Sequence, residues 1–166
     1  MEFEYRKAEL SDSKRIAELF IEMLRTIYNT NDVDGYENGY LDKFFSESED
    51  LIYVAELDKE VVAFLSIEVY KDDGYVYLDD LSVTEKYRDK GIGTKLISLA
   101  EDYSKDIGVS AIVFHVEKTN WCVLIIYAEK NANKHLMKFF ELLNLIIIIY
   151  FFKKNNYFIN WTSMNY

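Results

Sequence analysis

The sequence predicts an α/β fold: a mixed, mostly antiparallel sheet with helices on both faces. Three β-rich runs, at 51–57, 61–70 and 75–83, are joined by short polar turns, which is typical of antiparallel neighbours. The third run leads into an amphipathic helical pattern at 93–106 and then into another β-rich run at 111–116. Such a strand, helix and strand form a parallel pair through a right-handed crossover. We therefore expect a parallel pair that splays apart at the centre of the sheet.

The first part of the chain predicts a strand followed by a long helix. Phe3 and Tyr5 indicate a short strand. Ser11 stands where it could cap a helix over 12–28, in which apolar residues recur at three- and four-residue steps. A short second helix is expected near 39–46.

The last part of the chain, 122–166, differs in composition from the rest. It contains no Gly and no Asp, and its five Lys against two Glu give it a charge of +3, while the remainder carries −13. The pattern predicts a helix over 121–143, a strand over 145–152 and a final strand over 157–162, which together would end the chain in a hairpin. Two interpretations stay open. Either the gene has drifted or shifted frame near residue 122 and encodes a nonstandard but folded end, or this is an ordinary divergent helix and hairpin.

Composition and charge limit the classes of function. A chain of 166 residues, half of them hydrophobic, indicates one domain with a substantial core. A net charge of −10 argues against binding to nucleic acid or to anionic membranes as the main role. This negative charge is compatible with a cationic acceptor, although an acidic solvated surface is the simpler explanation.

Cysteine usage and hydropathy indicate a cytoplasmic protein. The single Cys122 builds no internal disulfide and no cysteine-rich zinc site, so no metal is expected and a reducing compartment fits. The first residues show no basic-then-apolar signal pattern. The longest apolar run, Leu145–Phe152, is far shorter than the roughly 20 residues that span a bilayer.

The stretch Tyr75–Leu99 carries the strongest functional signal, and it begins with an irregular strand. Its apolar residues Leu78 and Leu81 are three positions apart, which breaks the period of two expected for a strand. The break predicts a β-bulge near Asp79 and Asp80 that would splay the strand from its neighbour and free backbone groups for a ligand. An ordinary edge irregularity is the alternative.

A turn with two glycines follows this strand and opens directly into a helix. Gly91, Ile92 and Gly93 would bring backbone N–H groups to the helix N-terminus, where phosphates bind, and Thr94 adds a hydroxyl. The dinucleotide fingerprint requires a third glycine that is missing here, and the P-loop pattern is also absent. The turn is therefore predicted to hold a phosphate of another kind of ligand.

The run Arg88–Gly93, placed after Leu81–Val83, resembles the coenzyme A signature of the GNAT superfamily of N-acetyltransferases. That signature is Arg or Gln, two residues, Gly, one residue, and Gly or Ala. The order of elements also resembles that family from residue 3 to about 120. The resemblance implies a GNAT-like fold and acetyl-CoA as co-substrate.

The resemblance also implies a role for each matching residue. The backbone of Leu81, Ser82 and Val83 would pair with the pantetheine arm like an added strand. Asn120 stands where family members often place an Asn near the pantetheine, and Tyr127 has the spacing of the Tyr that protonates the departing thiolate. A packed aromatic residue is the other interpretation of Tyr127. The pyrophosphate would be held, mostly through backbone N–H groups, by Arg88, Asp89, Lys90, Gly91, Ile92, Gly93 and Thr94.

Several residues compete for the role of general base. His115 occupies a position where the family can carry a carboxylate, and a neutral His with a pKa near about 6.5 could take a proton from an ammonium group. Strand alternation predicts that Glu117 shares a face with His115. Asp79 and Asp80 are alternative bases, and a purely structural role for His115 is also open.

The predicted function is transfer of an acetyl group from acetyl-CoA to a primary amine of a small molecule or peptide. The competing hypothesis is a module of the same fold that binds CoA or dimerises without catalysis, because the family's short ending after Tyr127 is absent. The aromatic and acidic segment 32–42 is either a pocket lining for a cationic acceptor or a loop that covers the core. An exposed strand at 146–152 would favour a homodimer.

Overall fold

Seven strands lie in one sheet among the residues that this computed structural model describes, namely 2–109, 111–117, 138–142 and 145–151. Their order across the sheet is β1-β2-β3-β4-β5-β7-β6. The strands are β1 (Glu4–Lys7), β2 (Leu51–Leu57), β3 (Glu60–Tyr70), β4 (Tyr75–Val83), β5 (Ala111–Glu117), β6 (Lys138–Leu142) and β7 (Leu145–Phe151).

The sheet is antiparallel except at its centre. Strands β2, β3 and β4 form a meander, and β1 pairs antiparallel with β2. Gly74 turns the chain between β3 and β4 with a φ of 78°, a conformation that Gly adopts without steric cost. Strands β4 and β5 run parallel, and β7 pairs antiparallel with β5. The predicted mixed sheet with a central parallel pair is confirmed.

Two helices cover opposite faces of this sheet. Helix α1 (Ser13–Tyr28) buries Ile16 and Leu19 against the face of β2 and β3 that also carries Phe64. Helix α2 (Ile92–Asp106) buries its apolar residues on the other face, together with Leu78 of β4. Below, these are called the α1 face and the α2 face.

The predicted bulge lies in β4 where the sequence placed it. Leu81 pairs with Leu65 of β3, and Leu78 pairs with Ile67, so the single residue Ser66 stands opposite both Asp79 and Asp80. The parallel pairing of β4 with β5 ends at the same point, with Leu78 opposite Phe114. Beyond it, β4 continues to Val83 without pairing with β5 among the described residues. The bulge therefore coincides with the splay of the central strands.

The short second helix expected near 39–46 is present as a 3-10 helix, Tyr40–Phe45. Two other local predictions need correction. Ser11 does not cap α1; it lies in a short 3-10 turn, Leu10–Asp12, and the Asp12 carboxylate accepts the Glu9 N–H instead. The helix predicted up to residue 143 is wrong over Lys138–Leu142, which is strand β6.

The other predictions for the end of the chain have separate outcomes. The strand predicted at 145–152 is confirmed as β7, and its hairpin partner is β6. The region 121–137 and the strand predicted at 157–162 lie outside the described residues. In the described part of the chain, no helix combines the length and apolarity needed to cross a membrane.

Candidate active site

The bulge in β4 directs two consecutive carboxylates to the same face of the sheet. In a regular strand, Asp79 and Asp80 would point to opposite faces. Here the Tyr40 hydroxyl donates to Asp79 Oδ2 at 2.7 Å, and the Tyr36 hydroxyl donates to Asp80 Oδ2 at 2.7 Å. The Asp80 N–H donates to the Ser66 hydroxyl at 2.9 Å, which holds the bulge against β3.

The rings of the two tyrosines stack on each other beside these carboxylates. Tyr36 stacks on Phe20 of α1 with ring centres 3.8 Å apart, and Tyr40 stacks on Tyr36 at 4.8 Å. Both rings also pack against the apolar cluster on the α1 face. The segment 32–42 thus covers this part of the core, and its two tyrosine hydroxyls bind the carboxylates.

The electrostatic environment keeps Asp80 basic. Burial, with further contributions from the neighbouring Asp79 and Glu68, raises the pKa of Asp80 to about 6, although the Tyr36 hydrogen bond and Lys43 act in the opposite direction. Burial and the nearby carboxylates also raise the pKa of both Tyr36 and Tyr40. These phenols therefore stay protonated and act as hydrogen-bond donors at neutral pH.

A cation lies at one side of the pair of carboxylates. Lys43 Nζ is 2.5 Å from Glu68 Oε1, 4.2 Å from the centre of the Tyr40 ring and 4.9 Å from that of Phe44. The second oxygen of Glu68 accepts the Tyr70 hydroxyl at 2.8 Å. Both oxygens of Glu68 are therefore engaged within the protein.

The glycine turn has the geometry that an anion site requires. Gly91 precedes α2 with a φ of 76°, and a Cβ added there would meet no atom within 4 Å, so the surface above it is open. The Lys95 N–H donates to the Gly91 carbonyl at 3.0 Å as the first bond of the helix. The N–H groups before it, in 92–94, have no acceptor inside the helix. The Ile92 side chain is buried in the core, so only its backbone can contact a ligand.

Between the carboxylates and this turn lies the part of β4, at 81–83, that pairs only with β3 among the described residues. The Thr84 N–H donates to the Val62 carbonyl of β3, and because a strand alternates, Leu81 and Val83 direct their backbone groups away from β3. The Ser82 hydroxyl donates to the Leu19 carbonyl of α1 at 3.1 Å. Leu81 and Val83, rather than Ser82, therefore present backbone groups to the cleft.

Most of the remaining residues of the turn are exposed. Arg88 donates through Nε to the Val83 carbonyl at 3.1 Å and through Nη2 to the Thr26 hydroxyl at 3.4 Å. Asp89 and Lys90 are exposed, and Thr94 is half-buried. An open pocket of about 630 Å³ lies between the second half of α1 and 84–88, next to the turn.

Of the predicted catalytic residues, the structure describes His115 and Glu117. His115 and Glu117 lie in β5, beyond its parallel pairing with β4, where they pair with β7. Asn120 and Tyr127 lie outside the described residues. Within the described ranges, no group of His, Cys, Asp and Glu side chains is placed to hold a metal ion.

Comparison with known proteins agrees with this layout. The model of the acetyltransferase (GNAT) family matches residues 16–121. An uncharacterized N-acetyltransferase of Bacillus subtilis, YhfO, is 30% identical over 120 residues, covering 69% of this chain and 79% of that protein. The family match at 16–121 includes the bulged strand β4, the glycine turn and strand β5.

Solved structures share the fold at lower sequence identity. The PaiA N-acetyltransferase of Thermoplasma acidophilum, crystallised with coenzyme A, superposes with a TM-score of 0.70 at 19% identity, covering 92% of this chain and all (100%) of that one. The putative acetyltransferase yncA of Salmonella typhimurium, crystallised with acetyl-CoA, gives 0.73 at 14% identity and covers 95% and 98%. Since the matched region carries both the signature turn and the splayed central strands, this chain belongs to the acetyltransferase (GNAT) family.

Proposed function

We propose that the protein transfers an acetyl group from acetyl-CoA to a primary amine, with Asp80 as the general base. The observation that carries the proposal is the bulge, which turns Asp80 and Asp79 to one face at the point where β4 separates from β5. A carboxylate whose pKa is raised to about 6 can accept a proton from an ammonium group and is mostly ionised at neutral pH.

The cofactor half of the site supports acetyl-CoA as the acetyl donor. The backbone groups of Leu81 and Val83 face the cleft and can pair with the amide groups of the pantetheine arm. The free N–H groups at the start of α2, next to Gly91, suit the pyrophosphate. Arg88 holds the Val83 carbonyl and so links the two parts of the site.

The chemistry follows from these positions. Asp80 takes a proton from the acceptor ammonium, directly or through a water, and the neutral amine attacks the thioester carbonyl. A new carbon–nitrogen bond forms, the carbon–sulfur bond breaks, and the departing thiolate takes up a proton, for which Tyr127 remains the proposed donor. A cleft-facing N–H of β4 near Val83 would stabilise the negative charge on the carbonyl oxygen.

We favour Asp80 over His115 and Glu117 because its environment explains its basicity. Its hydrogen-bond donor is a neutral phenol, and Asp79 and Glu68 add negative charge nearby. The same charges favour a positively charged acceptor.

Two measurements test the proposal together. Acetyl-CoA should raise the melting temperature, since a ligand at 100 times its dissociation constant stabilises the native state by about 2.7 kcal/mol. A panel of primary amines should release free thiol from acetyl-CoA, with the acetylated amine identified by mass spectrometry. Stabilisation without turnover of any amine would contradict the proposed reaction, and no stabilisation at all would contradict acetyl-CoA as the ligand.

A further inference from the structure

The Lys43 ammonium lies in a cation site that its own chain provides. Its Nζ contacts Glu68 Oε1 at 2.5 Å and stands 4.2 Å and 4.9 Å from the ring centres of Tyr40 and Phe44. A carboxylate combined with aromatic faces is an arrangement that binds ammonium groups of ligands. Lys43 therefore occupies a position that a second ammonium of a ligand would otherwise take.

Strand β3 relates this position to the proposed base. Glu68 and Ser66 are two residues apart on the same strand, β3, and the Asp80 N–H donates to the Ser66 hydroxyl. Two residues of a strand span about 7 Å. Glu68 thus lies about 7 Å along β3 from the residue that binds the Asp80 N–H, a span similar to that of a chain of about five carbons.

We infer that Lys43 makes the acceptor site selective for amines with one positive charge over diamines of similar length. The inference rests on the proposed function, in which the ammonium that becomes acetylated meets Asp80. A second ammonium at the far end of the acceptor would reach Glu68, where Lys43 repels it. Because the Tyr70 hydroxyl donates to the other oxygen of Glu68, both oxygens of this carboxylate have partners within the protein even when no ligand is bound.

The test compares two acceptors that differ in one charge, cadaverine (a five-carbon diamine) and pentylamine. We expect wild-type protein to prefer pentylamine in kcat/KM, measured by thiol release. In Lys43→Met, the ratio of cadaverine to pentylamine should rise about tenfold, because the second ammonium gains a charge-assisted contact with Glu68. Lys43→Arg keeps the cation and should keep the wild-type ratio. The double variant K43M/E68Q should lose the gain.

Direct binding separates this inference from the proposed reaction. Calorimetric titration of both amines into wild type and Lys43→Met, without acetyl-CoA, should show the same change in ratio. If wild type turns over no amine, the proposed function fails, while the binding ratio still decides the role of Lys43. An unchanged ratio, or no binding of either amine, in a Lys43→Met variant that melts cooperatively would overturn the inference.

Discussion

Asp12 and Asp80 are two hydrogen-bonded aspartates with opposite electrostatic environments. Asp12 accepts Arg6 at both carboxylate oxygens, at 2.6 Å and 3.0 Å, and the Glu9 N–H at 2.8 Å. The Arg6 hydrogen bonds hold the pKa of Asp12 below its usual value. Asp80 instead accepts a neutral phenol, and burial raises its pKa to about 6.

The difference shows what a hydrogen-bond donor's charge does to a carboxylate. Arg6 brings a full positive charge, joins Asp12 to Glu56 of β2, and leaves the carboxylate with little tendency to take a proton. Tyr36 brings only a dipole, which positions Asp80 without compensating its charge. The first arrangement fastens the start of α1 to the sheet, and the second leaves a carboxylate able to act as a base.

The largest expected effect is on catalysis by the Asp80→Asn variant. Removing the base should lower kcat/KM for amine acetylation by about 100-fold or more, the range typical for general-base catalysis. Thiol release with a reactive amine measures it. Asp12→Asn is the matched control and should stay close to wild type in kcat/KM. Equal losses in both variants would contradict the contrast between the two aspartates.

The second effect is on stability, through Asp12→Asn. It leaves Arg6 without half of its carboxylate partners and should lower the free energy of unfolding by about 2 kcal/mol, measured by urea denaturation at pH 7. Because the folded-state pKa of Asp12 is lowered, its stabilisation is present above the unfolded pKa and is lost as pH falls through the folded value. The difference from wild type should therefore shrink below about pH 4. A difference that grows in acid would contradict this assignment.

The third effect has the opposite sign, because the pKa of Asp80 is raised. Such a group stabilises the fold below its unfolded pKa, and that stability is lost as pH rises through the folded value of about 6. The Asp80→Asn variant carries no charge at this position. At pH 8 its free energy of unfolding, measured by urea denaturation, should therefore exceed that of the wild type by about 1 kcal/mol. At pH 4 the gain should be smaller. A variant less stable than wild type at pH 8 would count against the raised pKa.

The smallest effect separates the two tyrosines. The kcat/KM of the wild type should rise with pH and level off above the Asp80 pKa of about 6. The Tyr36 hydrogen bond lowers that pKa, so Tyr36→Phe should move the rise upward by about half a unit. Tyr40→Phe removes the donor to Asp79 and should move it less. Equal shifts would show that the two phenols do not act on separate carboxylates.

Local patterns predicted the scaffold of the site well. The three-residue step from Leu78 to Leu81 located the bulge, and the two glycines located the start of α2. These signals are readable because a strand's alternation and a helix start depend on neighbouring residues. The helix expected to 143 was wrong over β6, where pairing with β7 outweighs the local pattern.

Long-range partners were not readable in the same way. Tyr36 and Tyr40 stood in a segment described only as aromatic and acidic, and they meet Asp80 and Asp79 across 44 and 39 residues. The two carboxylates that the tyrosines bind come from β4, while Asp32, Asp34 and Glu37 of that segment are exposed. The ion pair of Lys43 with Glu68 carried no sequence signal either.

The sequence by itself determined the family, the order of the elements and the place where β4 is irregular, because each depends on residue type at short spacing. Only the tertiary structure decided that the bulge turns both carboxylates to the α1 face, that phenols rather than a cation bind them, and that Lys43 lies beside them. A carboxylate's basicity depends on burial and on the charges around it, and folding brings those together from distant parts of the chain.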